Sequence, residues 1–157
     1  MDKIQTTEGD LNVRDARFAI VAARFNDFIV ESLIKGSVRC LRQHGATDAN
    51  IEIIRVPGAF EMPVVVRKVA ESRRCDGIIA LGAVIRGGTP HFDFVAGECI
   101  SGISAVARDT GIPVGFGILT TDTIEQAIER AGTKAGNKGE EATLAVIETV
   151  NLLRRID

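Results

Sequence analysis

Tryptophan and tyrosine are absent from this 157-residue chain, and histidine occurs only twice, cysteine three times and proline four times. Any aromatic contact must therefore come from the seven phenylalanines. Cys40, Cys75 and Cys99 are an odd set with no Cys-x-x-Cys pair, which argues against a disulfide scaffold and a thiolate zinc site. They read as small buried fillers. With so few histidines the ligand count for a metal site fails, and no Ser/His/Asp set presents itself. No charge sign dominates: 19 basic side chains face 21 acidic ones, for a net charge of −2. That balance excludes a nucleic-acid footprint and a polybasic membrane anchor. No run approaches the roughly 20 apolar residues that span a bilayer. Met1 to Glu8 lacks the basic-then-apolar order of a secretory signal. The expectation is a cytoplasmic chain with one domain over residues 1–157, binding neither nucleic acid nor membrane.

Short apolar runs alternate with helical patterns. Arg17 to Ala23 is continuously apolar after its first residue and suits a strand buried on both faces. Asp27 to His44 follows as a helix, with Ile29, Leu33, Val38 and Leu41 on one side and Gly45 as its stop. Ile51 to Val56 is a second strand, ended by Pro57-Gly58, and Phe60 to Ser72 a second helix with Pro63 in its first turn. Gly77 to Val84 is the most apolar strand and the central one. A helix over 93–110, a strand over 114–119 and helices over 123–131 and 139–155 complete the pattern, the last two separated by a loop over 132–137. This alternation predicts an α/β three-layer sandwich: a central four-stranded parallel sheet with helices on both faces. Residues 1–16 read as a polar arm, in which Leu11-Asn12-Val13 is a candidate edge strand, on this sheet or on that of a neighbouring subunit.

Two helices carry more small or apolar surface than a monomer needs. The helix over 93–110 has Gly97, Ser101, Ser104 and Ala105 at helical spacing, which would let another helix approach closely. The last helix has a stripe through Ala142, Ala145, Val146, Val150 and Leu153, plus Leu144 and Ile147 off that stripe. Thorough burial within one chain and a homo-oligomeric interface both account for this.

Ligands of open parallel sheets bind beyond the carboxyl ends of the strands. Those positions hold Arg24-Phe25-Asn26, Pro57-Gly58-Ala59-Phe60-Glu61, Ile85 to Asp93 and Thr120-Thr121-Asp122. Phe25, Phe60, Phe92 and Phe94 lie in or just after these loops, and flat rings beside polar groups suit a planar heterocycle. Each ring taken singly is equally a plug for the top of the core. In Gly87-Gly88-Thr89-Pro90, two glycines could turn successive N–H groups toward one anion, with Thr89 capping the next helix and Pro90 in its first turn. A plain tight turn is the alternative. His91 stands beside this turn, and imidazole exchanges protons near neutral pH; His44, at a helix end, reads as structural. Glu61 fits hydroxyl recognition or a helix N-terminal charge. Arg130, Lys134 and Lys138 cluster around the last helix–helix connection, an arrangement that is ordinarily a solvated face.

Arg24 to Asn26, Pro57 to Glu61, Gly82 to Val95 and Ala131 to Glu141 together resemble the lumazine synthase family of riboflavin biosynthesis, in order and at the right spacing from about residue 16 to 153. The resemblance implies a flavodoxin-like fold assembled as pentamers, with active sites between neighbouring subunits. It implies small-molecule substrates, a ribitylamino-pyrimidinedione and a dihydroxybutanone phosphate, joined to a lumazine without any metal or organic cofactor. By resemblance, Phe25 stacks on the pyrimidine with Asn26 beside it, and Ala59, Phe60 and Glu61 hold the ribityl chain. Ala83, Val84 and Ile85 line the ring through their backbone, Gly88 and Thr89 bind phosphate, and His91 shuttles protons. Arg130 completes the phosphate site from the neighbour, which also contributes Phe116 and Lys138. The short connection over 132–138 is similar to that of family members that close into sixty-subunit icosahedral shells. Phenylalanine at 25, where others carry tryptophan, is an ordinary variant. A signalling receiver would need acidic residues where Arg24 and Arg86 stand, and a flavin electron carrier would need a Ser/Thr/Gly-rich loop after the first strand. A non-enzymatic shell or flavin-binding paralogue is the remaining competitor, against which the retained His91, Arg130 and Gly-Gly-Thr turn argue.

Overall fold

The computed structural model describes residues 3–157. Four parallel strands, β1 (Phe18–Ala23), β2 (Ile51–Val56), β3 (Gly77–Ile85) and β4 (Val114–Thr121), form one sheet in the order β2-β1-β3-β4. Period-two alternation on buried strands divides the core in two. Phe18, Ile20, Ala22, Ile79 and Leu81 face α1 (Asp27–Gln43) and α5 (Lys138–Ile156), whereas Ala19, Val21, Ile78 and Ala80 face α2 (Met62–Glu71) and α3 (His91–Thr110). Each fully buried Ile or Leu contributes roughly 1.5–3 kcal/mol of transfer free energy, so these central strands set the layer order. The architecture is the flavodoxin-like three-layer sandwich.

Side chains and glycines fix the helices. The Asn137 Oδ1 accepts from the N–H groups of Gly139 (2.8 Å) and Glu140 (3.2 Å), capping α5. Gly139 lies so close to the Leu33 carbonyl that a Cβ there would collide with it, which lets α5 seat against α1. Across that contact the Ser37 and Thr143 hydroxyls hydrogen-bond at 2.6 Å. A short helix α4 (Ile124–Glu129) opens with a reciprocal cap between Thr123 and Gln126.

Several sequence expectations change. Residues 132–137 are not a plain loop: β5 (Ala131–Thr133) and β6 (Gly136–Asn137) pair as an antiparallel hairpin. Helix α3 begins at His91, with Pro90 in the capping position and no side-chain cap, so Thr89 does not cap it. Residues 11–13 form no strand within the chain; the Asn151 amide donates to the Asp10 and Asn12 carbonyls and fastens this segment to α5. The two over-apolar helices have different explanations. On α5, Ile147 is buried and Leu144 half-buried inside the chain, whereas on α3 Gly97, Ser101 and Ser104 stay exposed. Cys40, Cys75 and Cys99 are buried, and burial pushes each thiol up to about 11, which keeps them protonated and unreactive at neutral pH. Among the described residues no helix is long and apolar enough to cross a membrane.

Candidate active site

From β1 the chain passes to β2 on one side and then to β3 on the other, and such a switch leaves a crevice beyond the carboxyl ends. A cavity of about 620 Å³ occupies it. Strand β3 outruns β1: their last paired residues are Ala22 and Leu81, and from Gly82 to Ile85 β3 pairs with β4 alone. Ala83, Val84 and Ile85 therefore border the cavity along an edge with no strand partner, and backbone amides there are available to a ligand. Asn26 closes the other side in a left-handed conformation (φ 62°), its amide donating to the Ala83 carbonyl at 2.9 Å.

The aromatic residues line the same space. Phe25 and Phe60 are 72% and 62% exposed although both border the cavity, so neither ring plugs the core; Phe94 behaves likewise. Phe25 is fixed by its N–H bond to the Pro57 carbonyl at 3.0 Å, which prolongs the β1–β2 ladder into the loops. Ala59 is buried, and Glu61 is half-buried with Oε1 lying over the backbone of Gly58.

The loop after β3 supplies the polar end. Gly87 and Thr89 border the cavity, as does His91 at the first residue of α3, with Gly88 between them. Neither glycine has a positive φ, and a Cβ on either would meet nothing within the chain. Their smallness therefore serves no internal turn or packing; it leaves the backbone N–H groups approachable next to the free amides of α3's first turn.

Phe116, Arg130 and Lys138 lie elsewhere. They border a second cavity of about 330 Å³ beside β4 and the β5–β6 hairpin, together with Thr121 and Glu141. The Arg130 guanidinium donates to the Gln126 carbonyl at 2.9 Å, and Lys138 Nζ is 3.8 Å from Glu141. The residues expected at one site thus fall into two sets, one at each cavity, within a single chain. Sequence reading missed a further feature, the guanidinium of Arg86. It donates to Asp122 at 2.9 Å and Asp93 at 3.3 Å and stacks 4.4 Å from the Phe92 ring centre, and the Asp122 carboxylate holds its pKa above the usual value.

An exposed pair of rings, a carboxylate, open backbone amides and an imidazole can bind a flat polar ring and an anion next to a proton carrier. The comparisons with known proteins point the same way. The family described as 6,7-dimethyl-8-ribityllumazine synthase matches residues 15–154. The chain is 59% identical over 153 residues to the 6,7-dimethyl-8-ribityllumazine synthase of Nitratidesulfovibrio vulgaris (strain DSM 19637 / Miyazaki F), covering 98% of both chains. It is 54% identical over 156 residues to that of Lawsonia intracellularis (strain PHE/MN1-00), covering 99% of both. With the match running through all four strands and both cavities, the chain belongs to the 6,7-dimethyl-8-ribityllumazine synthase family.

Proposed function

We propose that the chain condenses 5-amino-6-(ribitylamino)pyrimidinedione with 3,4-dihydroxy-2-butanone 4-phosphate to 6,7-dimethyl-8-ribityllumazine, releasing phosphate and water. What supports this is one arrangement: Phe25, Phe60, Glu61, Thr89 and His91, from three separate loops, border one cavity. Phe25 stacks on the pyrimidine with Asn26 beside it, Ala59, Phe60 and Glu61 hold the ribityl hydroxyls, and the backbone of Ala83, Val84 and Ile85 meets the ring edge. The substrate's amine attacks the ketone carbonyl and water leaves as the imine forms. Elimination then expels phosphate, and the ribitylamino nitrogen closes the second ring with loss of another water.

Phosphate is both handle and leaving group. Backbone amides at Gly88 and Thr89 bind it, and Arg130 of a neighbouring subunit stabilises the charge that grows as it departs. Phe116 and Lys138 arrive with that arginine. His91, beside the leaving group, relays protons. Holding two reactants face to face supplies much of the acceleration, because an amine needs little activation. The assembly is a homo-oligomer built from pentamers, with an icosahedral shell as its closed form, in the cytoplasm; the exposed small residues of α3 suit close subunit contact.

Mixing the purified protein with both substrates and following lumazine fluorescence tests the reading. The expected result is product, with KM for the phosphate substrate raised roughly tenfold to a hundredfold in Arg130→Ala and that for the pyrimidine little changed. Flavin binding without any turnover would contradict it and indicate a non-enzymatic paralogue.

A further inference from the structure

Among the described residues, no side-chain hydrogen bond reaches Gly87, Gly88, Thr89 or Pro90, and nothing in the chain packs where a Cβ of either glycine would stand. The loop is therefore held only at its ends, and one side chain holds both. Arg86 is rooted in the sheet by its N–H bond to the Thr121 carbonyl at 2.8 Å. From there its Nε donates to Asp122 Oδ1, its Nη1 donates to Asp93 Oδ1, and its Cζ lies over the Phe92 ring, 4.4 Å from the centre. Asp93 and Phe92 belong to the first turn of α3, on the far side of the loop. Asp122 belongs to the β4–α4 turn, where its N–H is held by the Gln126 side-chain oxygen at 2.8 Å. Three elements thus meet on one guanidinium at the neck of the loop.

Exposed ion pairs taken singly contribute little to stability, and Arg86 is about half exposed. Their joint effect is geometric instead. A planar fork with carboxylates at two edges and a ring on its face has few other orientations open to it. Arg86 does not itself border the larger cavity, and its edges are already engaged by carboxylates.

We infer that Arg86 is a positioning residue: it clamps the neck of the 87–91 loop, so that the Gly88 and Thr89 amides and the His91 ring hold one geometry toward the phosphate-bearing substrate. The inference rests on the reaction proposed above. Lysine at 86 would keep the charge but could not bridge two carboxylates while stacking on a ring.

Hydrogen exchange over residues 87–91, read alongside steady-state kinetics, tests this in the assembled wild type, Arg86→Ala, Arg86→Lys, Asp122→Ala and the Arg86→Ala/Asp122→Ala double variant. In Arg86→Ala, exchange of the loop amides is expected to quicken roughly tenfold, and KM for the phosphate substrate to rise by a similar factor while KM for the pyrimidine stays within about twofold. Arg86→Lys should restore little of either, and the double variant should be no worse than Arg86→Ala, because both substitutions break one unit. Unchanged exchange and KM in Arg86→Ala, or full rescue by lysine, would overturn the clamp. Far-UV circular dichroism and assembly size identify any variant that has lost its fold, and Arg86→Lys and Asp122→Ala then carry the test. A wild type that forms no lumazine would refute the proposed reaction, whereas the exchange measurement would still decide whether Arg86 holds the loop.

Discussion

His91 stands at the first residue of α3 with an exposed ring on the larger cavity, next to backbone amides that the chain leaves free. In the proposed reaction that place makes it an accessory to the phosphate's departure, and the joining of two bound reactants does not depend on it alone. His91→Ala should therefore lower kcat about tenfold to a hundredfold, at or below the usual span for a lost general acid–base group, and leave measurable turnover. Rapid-quench or fluorescence kinetics at saturating substrate check this; complete inactivity with intact substrate binding would contradict the emphasis on proximity. At this scale the phenylalanines were readable in advance, because their place just after strand ends is a property of order along the chain. The Arg86–Asp122 contact was not, since the partners lie 36 residues apart and only the β3–β4 register joins them. Thr89 was misplaced as a cap because Pro90 takes the capping position and pushes Thr89 one residue outside the helix.

Strands β1 and β3 were plain in the sequence because burial on both faces demands an unbroken apolar run, and the loops that follow them came with that placement. The β5–β6 hairpin was not plain. Strands of three and two residues carry no period, and Gly132 and Gly136, both at positive φ, read as loop. The arm also depends on contacts distant in sequence. The Arg14 guanidinium, with help from the Asn12 N–H and Arg155, holds the Asp10 carboxyl well below the usual carboxylate range. Arg155 donates to Asp10 at 2.6 Å and Asn151 donates to its carbonyl at 2.8 Å, pinning the arm to α5. A depressed pKa gives a fastening that is fully present above the ordinary carboxylate value and lost only as pH falls through the lowered one. The arm should therefore stay docked at pH 4, and Asp10→Asn should free it at neutral pH. Faster trypsin cleavage after Arg14 in Asp10→Asn than in wild type is the expected result, with equal rates counting against the pin.

Across the whole molecule, the fold was legible down to the four strands of the main sheet and the helical layers on its two faces, and the candidate site's residues were legible as types. Their division between two cavities was legible only through the resemblance, which assigns Phe116, Arg130 and Lys138 to a neighbour; composition and spacing carry no sign of it, because it depends on where β4 and the hairpin turn away from the switch point at β1. On the proposed shared site, a lone subunit holds two incomplete halves, and the exposed Gly97, Ser101 and Ser104 of α3 suit the contact that would bring a neighbour's half into register. In the proposed pentamer, a ring of heterologous contacts, each subunit would lend Arg130 to one neighbour and receive it from the other. Subunit complementation tests this sharing most directly. One variant is aimed at the proposed anion end of the larger cavity (Gly88→Trp, where the added Cβ meets nothing inside the chain), and the other removes the arginine (Arg130→Ala). Assayed with the phosphate substrate well below the raised KM, each alone should be nearly inactive, and random co-assembly in equal amounts should restore activity to about a quarter of the wild-type level, since one neighbour pairing in four has both halves intact. Mixed assemblies of wild-type size that stay no more active than the separate variants would contradict a site shared between subunits.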